Sequence, residues 1–197
     1  MKLEDLVLQN RLEHVAKAYQ EKRSDVKKAI LEASFSVDDV RMHLAEPMGM
    51  PYGRKLLFQN STLEAIVMNW QKNSKCLPHD HGSSEGWVKI LKGSASHVYY
   101  RKDNTLPVKY KKEIIREGNL FFAPKGIVHL MANETSEELI TLHFYFPPIH
   151  NMEVFDLDAS RSAVVRDDCG AWWPEVEEKL LEYRTLGSKV MGKESVE

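Results

Sequence analysis

The hydrophobic residues of the first 48 positions recur at helical spacing. One set lies at intervals near three and four residues: Leu3, Leu6, Val7, Leu12, Val15 and Ala16. A second set repeats the pattern: Val26, Ile30, Leu31 and Ala33. Ser36, followed by Asp38 and Asp39, has the form of an N-cap with an acidic first turn. The pattern therefore predicts three short helices.

From Met50 onward the pattern changes to short apolar segments, rich in β-branched and aromatic residues and separated by Gly, Pro and Asn. The candidate strands are 54–59, 63–70, 77–81, 86–92, 95–101, 109–115, 119–123, 127–132 and 138–146. So many short strands without intervening helices favour a mainly β fold, a barrel or a double-sheet jelly roll, over a parallel sheet.

Beyond Pro147 and Pro148 the pattern predicts a strand or loop from Met152 to Val165 and then a C-terminal helix after Trp173-Pro174. The apolar face of that helix would consist of Leu180, Leu181 and Tyr183. We expect the tail, 187–197, to be frayed. The chain is interpreted as one domain with a helical segment (1–48), a barrel core (49–148) and a C-terminal extension (149–197).

Length and composition narrow the class of protein. A chain of 197 residues can bury a core without disulfides, and two cysteines, Cys76 and Cys169, are too few for a disulfide framework. The formal net charge of -2 gives no reason to expect nucleic acid or a membrane as partner. No secretory signal pattern is present at the N-terminus, so we expect a cytoplasmic protein, monomeric or a small homo-oligomer.

Three histidines are candidate metal ligands. His79 and His81 are two residues apart, so in a strand both imidazoles share one face, and Asp80 points the other way. Such a pair can equally be an ordinary surface or core pair. His129 follows a Pro/Gly turn that can direct the later strand inward.

The two histidine segments resemble the two motifs of the cupin superfamily, G-x5-H-x-H-x3,4-E-x6-G and G-x5-P-x-G-x2-H-x3-N. Every fixed position of the second motif is matched: Gly118, Pro124, Gly126, His129 and Asn133. The first motif keeps His79, His81 and Gly93, but Asn73 stands in place of its leading glycine. The resemblance implies a cupin β-barrel that holds one transition-metal ion on His79, His81 and His129.

The fourth ligand of the cupin motif, a glutamate, is missing. With the longer spacing its position is occupied by Gly86, and Glu85 lies one residue too early and would face away on an unbroken strand. A three-histidine site is therefore favoured, and a bulge that turned Glu85 inward would make a three-histidine, one-glutamate site the alternative.

A second resemblance is to the cysteine dioxygenase family, over roughly residues 50–150. Thr141, His143 and Tyr145, followed by Pro147-Pro148, are similar to its S-x-H-x-Y-x-P-P stretch, whose hydroxyl, imidazole and phenol form a row beside the iron. Tyr52-Gly-Arg54 matches the position of the arginine that binds the substrate carboxylate. Gly86 stands where animal members have the cysteine that crosslinks to tyrosine, which resembles the bacterial, uncrosslinked branch.

The resemblance implies an Fe(II)-dependent enzyme that oxidises L-cysteine with O2 to cysteine sulfinate. Tyr145, His143 and Thr141 would be catalytic, and Arg54 and Tyr52 would bind substrate. One alternative is a dioxygenase of another small thiol, such as 3-mercaptopropionate, although that branch tends to carry glutamine where Arg54 stands. A non-catalytic metal- or small-molecule-binding cupin, or a zinc- or nickel-dependent isomerase, is a second alternative.

Overall fold

The computed structural model describes residues 3–102 and 106–187. Three α-helices come first: α1 Leu3–Glu21, α2 Val26–Glu32 and α3 Val37–Val40. Short 3-10 helices lie at Arg23–Asp25, Arg41–His43 and Glu177–Lys179. The strands are β1 Tyr52–Gln59, β2 Glu64–Trp70, β3 Ser74–Lys75, β4 Glu85–Lys92, β5 Ser94–Arg101, β6 Val108–Arg116, β7 Leu120–Ala123, β8 Val128–Asn133, β9 Leu139–Phe146, β10 Glu153–Asp156, β11 Arg161–Val165 and β12 Leu180–Thr185.

Two antiparallel sheets enclose the core. The larger has the strand order β1-β2-β9-β4-β7, and the facing sheet has the order β3-β8-β5-β6. A third, three-stranded sheet, β10-β11-β12, lies next to the second through backbone bridges from His79 to His129 and to Val154. Side chains of both large sheets, among them Ile66, Val88 and Val98, form one buried cluster. The predicted mainly β fold of a double-sheet barrel is confirmed.

The larger sheet is buried on both faces. Along β9, Ile140, Leu142 and Phe144 face the helices, where they pack with Leu12 and Val15 of α1. The alternate residues of β9 point into the barrel. The residues that face the helices form a second buried cluster, separate from the one inside the barrel, and burial of its apolar surface holds the helical segment against the larger sheet.

The three N-terminal helices occur where the pattern predicts them, although α1 is a long helix of 19 residues rather than a short one. The start of α3 has the predicted cap, because the Asp39 carboxylate accepts hydrogen bonds from the Ser36 backbone N–H at 2.7 Å and from its hydroxyl at 2.8 Å. No helix among the described residues is both long enough and apolar enough to span a bilayer.

Two predictions of elements are wrong. The residues predicted as the C-terminal helix form strand β12, which pairs with β11 and lays Tyr183 opposite Ala163. The predicted strand 77–81 has only an isolated bridge at His79. The helix was predicted from the spacing of Leu180, Leu181 and Tyr183. In the strand that forms instead, only Leu180 is half-buried, and the other two side chains are exposed. Most of the predicted frayed tail, 188–197, lies outside the described residues.

Candidate metal centre

The three predicted ligands converge inside the barrel. The coordinating atoms of His79, His81 and His129 all lie within 4.8 Å of one another, and each residue is buried. Backbone hydrogen bonds join two of them directly: His79 N–H donates to His129 O at 2.8 Å, and His129 N–H donates to His79 O at 2.9 Å. Residues 50 positions apart along the chain are thus fixed side by side.

The electrostatics of the cluster suit a cation. Burial is the largest cause that lowers the pKa of His81 and of His129 well below the usual value, and neighbouring imidazoles lower it further. Burial also lowers the pKa of His79. All three rings are therefore neutral near pH 7, and each has a lone pair available for a metal ion.

The ring orientations also fit a shared metal. His79 Nδ1 is 2.9 Å from the Leu77 carbonyl and His129 Nδ1 is 2.6 Å from His97, which leaves Nε2 of each free to ligate. Nε2 of His81 and Nε2 of His129 are 3.0 Å apart. That is the separation expected of two nitrogens at right angles around one ion, with bonds of about 2.1 Å.

The segment that carries His79 and His81 is held from its outer side by Asp80. The Asp80 carboxylate accepts hydrogen bonds from the backbone N–H of Gly82 and of Glu153, both at 3.0 Å. Lys102 forms ion pairs with Asp80 and with Glu153. Asp80 therefore points away from the imidazoles, as predicted, and fixes the loop that presents them.

Glu85 is not part of the cluster. Its carboxylate is paired with Arg23 of the first 3-10 helix, on the helix-facing side of β4. Gly86 lies opposite Tyr145 in the β4–β9 register, and a Cβ atom there would be 3.1 Å from two carbons of the Tyr145 ring. The alternative with a fourth, glutamate ligand therefore has no support in this geometry.

The hydroxyl, imidazole and phenol of β9 form a continuous row. Thr141 Oγ1 is 2.7 Å from His143 Nε2, and His143 Nδ1 is 2.9 Å from the Tyr145 hydroxyl. Burial lowers the pKa of His143 to about 3, so its ring is neutral and carries a single proton. The Tyr145 ring packs against His81, with centroids 4.8 Å apart.

Trp70, which no motif in the sequence singles out, begins this row. Its indole N–H donates to Thr141 Oγ1 at 2.9 Å. Since the buried threonine hydroxyl then donates to His143 Nε2, the histidine proton lies on Nδ1 and is donated to Tyr145. The phenol proton of Tyr145 is left free to point into the cavity.

A single cavity adjoins both the imidazole cluster and the row. It has about 520 Å³ of empty space, open solvent at its mouth included. Its walls are largely apolar, with Ile66, Met68, Met131 and Met152 among the lining residues. A cavity inside a barrel with mostly apolar walls and a few polar groups is typical of a small-molecule site.

Arg54 and Tyr52 line the same cavity and are bound to the C-terminal extension. Arg54 Nη1 donates to the carbonyls of Asp167 and Cys169, both at 3.1 Å, and the Tyr52 hydroxyl accepts the backbone N–H of Ala171 at 2.7 Å. Glu64 is the acidic neighbour of Arg54, 3.7 Å from Nη2. The extension, in which the sequence offered no usable motif, thus forms one wall.

The two cysteines also line the cavity. Burial raises the pKa of Cys76 to about 12 and raises the pKa of Cys169 as well, so both thiols stay protonated. A protonated thiol is a poor nucleophile. Neither thiol is therefore activated for nucleophilic attack.

A protein-family model and several curated proteins match this chain. The family model described as cysteine dioxygenase type I matches residues 8–158. Cysteine dioxygenase type 1 of Homo sapiens is 27% identical over 112 residues, which cover 53% of this chain and 56% of that protein, and the Bos taurus protein gives the same figures. The chain spans about half the length of these curated relatives.

Solved structures of similar shape include double-stranded β-helix proteins. A conserved protein with such a domain from Klebsiella pneumoniae has a TM-score of 0.49 at 17% identity, covering 60% of this chain and 92% of that one. An RmlC-like cupin from Shewanella frigidimarina has a TM-score of 0.42 at 18% identity, covering 51% and 79%.

Proposed function

Because the chain belongs to the cysteine dioxygenase type I family, we propose that it is an Fe(II)-dependent thiol dioxygenase that converts L-cysteine and O2 to cysteine sulfinate. The observation that carries the proposal is the shared cavity: His79 and His129 of the convergent imidazole cluster line it, and so does Tyr145 at the end of the β9 row. His79, His81 and His129 would hold the iron. A ferrous ion on three neutral ligands supplies open positions where a thiolate and dioxygen can react together.

Tyr145 would act as a hydrogen-bond donor to the reacting atoms. The direction of donation from Trp70 through Thr141 and His143 leaves the phenol proton available on the cavity side. Burial raises the pKa of Tyr145 well above its usual value, so the phenol keeps that proton at neutral pH. The row orients the phenol without changing its charge.

Arg54 would bind the substrate carboxylate. Its Nη1 is engaged by two backbone carbonyls, which fix the guanidinium at the cavity wall, and its remaining N–H groups can donate to a carboxylate. Tyr52, held by Ala171, would complete this part of the site. The apolar walls would exclude water and so strengthen the ionic contact.

A second candidate substrate is another small thiol, such as 3-mercaptopropionate. The observation in its favour is Glu64, which is 6% exposed and offsets the charge of Arg54. The Glu64 carboxylate also accepts the Ile149 N–H at 2.9 Å, so it is fixed behind the guanidinium. A partly neutralised arginine attracts a carboxylate less strongly, so cysteine would gain less over thiols that bind this arginine weakly or not at all.

Oxygen uptake by the iron-reconstituted protein tests the proposal. Cysteine, cysteamine and 3-mercaptopropionate are assayed in parallel, and sulfinate is measured at the end of each reaction. We expect the highest kcat/KM with cysteine, because cysteamine lacks the carboxylate that Arg54 would bind. Higher kcat/KM with 3-mercaptopropionate would favour the second candidate, and a protein that holds iron but consumes no oxygen with any thiol would contradict both.

A further inference from the structure

His97 is a buried histidine that the proposed reaction does not use. It lies on β5, which pairs with β8, the strand that carries His129. The ring is 0% exposed and is packed against Tyr99 and Phe121, with centroid distances of 4.2 and 4.3 Å. In this packed position its Nε2 is 2.6 Å from His129 Nδ1.

The direction of that hydrogen bond decides whether His129 can bind a metal. If His97 donated, the single proton of neutral His129 would lie on Nε2, the nitrogen that faces His81 at 3.0 Å. If His129 donates from Nδ1, its Nε2 lone pair is exposed toward His79 and His81. Only the second arrangement gives three convergent lone pairs.

We propose that His97 is a positioning residue that accepts the Nδ1 proton of His129 and thereby fixes both the tautomer and the orientation of this metal ligand. The inference rests on the proposed metal role of the three histidines. A carboxylate stands behind the pair: Glu113 Oε1 is 3.8 Å from His97 Nδ1, and the Tyr99 hydroxyl donates to the same Glu113 oxygen. Glu113 is too distant for a hydrogen bond to His97 Nδ1, but its negative charge favours a proton on that nitrogen, which leaves Nε2 as the acceptor.

Metal titration of the apo protein with Co(II) tests this assignment separately from turnover. The variants are His97→Leu, which fills similar space without an acceptor, and His97→Gln, whose amide oxygen can still accept. Loss of such a partner typically weakens metal affinity about 10- to 100-fold. We expect a weakening of that size for the leucine variant, a shift of its Co(II) visible absorption bands, and recovery of most of the affinity and spectrum in the glutamine variant.

Each outcome has one meaning. If the wild type binds no Co(II), the three-histidine metal site itself fails. If the wild type binds but all three proteins have equal affinity and the same spectrum, the metal site stands and the role of His97 is wrong. Equal weakening in both variants also contradicts it, because an acceptor would then make no difference. Circular dichroism checks folding, and His97→Met replaces the leucine variant if that one does not fold.

Discussion

The cavity has two halves that are held by different kinds of contact. The imidazole half, His79, His81 and His129, is fixed by backbone pairing between the strands and loops that carry it. The rim half, Tyr52, Arg54 and residues 166–170, is fixed by side chains of β1 that bind the backbone of a segment more than 100 positions later. Backbone pairing holds the imidazoles whatever the neighbouring side chains are, whereas contacts made by side chains can differ from one protein to another. We therefore expect the reaction to depend on the imidazole half and the choice of substrate to depend on the rim half.

Removing an imidazole should have the largest effect. His129→Ala takes away one of three ligands, and we expect it to lose stoichiometric iron and all measurable oxygen uptake. His14→Ala, at an exposed histidine of α1, is the matched control and should keep both. Metal analysis after gel filtration checks the result, and a full equivalent of tightly bound iron in His129→Ala would mean that the ligand set is wrong.

Tyr145→Phe should have the next largest effect, since it removes the phenol proton but none of the metal ligands. We expect kcat to fall about 10- to 100-fold while iron content stays that of the wild type. Tyr110→Phe, at an exposed tyrosine of β6, serves as the control. Unchanged kcat in Tyr145→Phe would exclude the phenol from the reaction.

Arg54→Gln changes the rim half of the cavity and leaves the imidazole half intact. A hydrogen bond to a charged group contributes about 1.5–3 kcal/mol, so KM for cysteine should rise about tenfold or more, with iron content unchanged. KM for cysteamine, which has no carboxylate, should rise less, because for this thiol only the contacts of Arg54 to the rim are lost. Equal rises for both thiols would show that Arg54 supports the rim rather than the substrate.

Gly170→Ala should have the smallest effect on activity. A Cβ atom there would collide with the Trp172 ring, which packs on Tyr52, so the rim must shift. Such overpacking costs about 1–3 kcal/mol of folding stability, and we expect a modest rise in KM with normal iron content. Gly187→Ala, where a Cβ meets nothing within 4 Å, is the control. Loss of iron in Gly170→Ala would show that the two halves are not independent.

The imidazole half could be predicted from the sequence because its information is local. Two histidines at a spacing of two, and a third after a Pro/Gly turn, lie in short segments that resemble the cupin motifs. The ligands were found in this way although the segment of His79 and His81 forms only isolated bridges and not the predicted strand. The β9 row is predictable for the same reason, since Thr141, His143 and Tyr145 alternate. The strands from 52 to 146 also follow the apolar pattern to within two residues at their ends, except that 77–81 is not a strand and the short β3, Ser74–Lys75, was not predicted.

The rim half could not be predicted because its contacts are non-local. Nothing near Arg54 in the sequence indicates that its partners are the carbonyls of Asp167 and Cys169. The same holds for His97, a single histidine in β5 without a motif. Its only signal was its place inside the candidate strand 95–101. For β12, helical spacing and strand pairing competed, and the available partner β11 decided the outcome.

The central claim is that this protein is a thiol dioxygenase. It is tested most directly by following both atoms of molecular oxygen into the product. The iron-loaded protein is supplied with cysteine under ¹⁸O₂ in unlabelled water, and the sulfinate product is analysed by mass spectrometry. The proposed thiol dioxygenase predicts that both oxygen atoms of the sulfinate carry the label and that His129→Ala forms no product. Sulfinate with one labelled oxygen or none, or unlabelled disulfide as the main product, would contradict it.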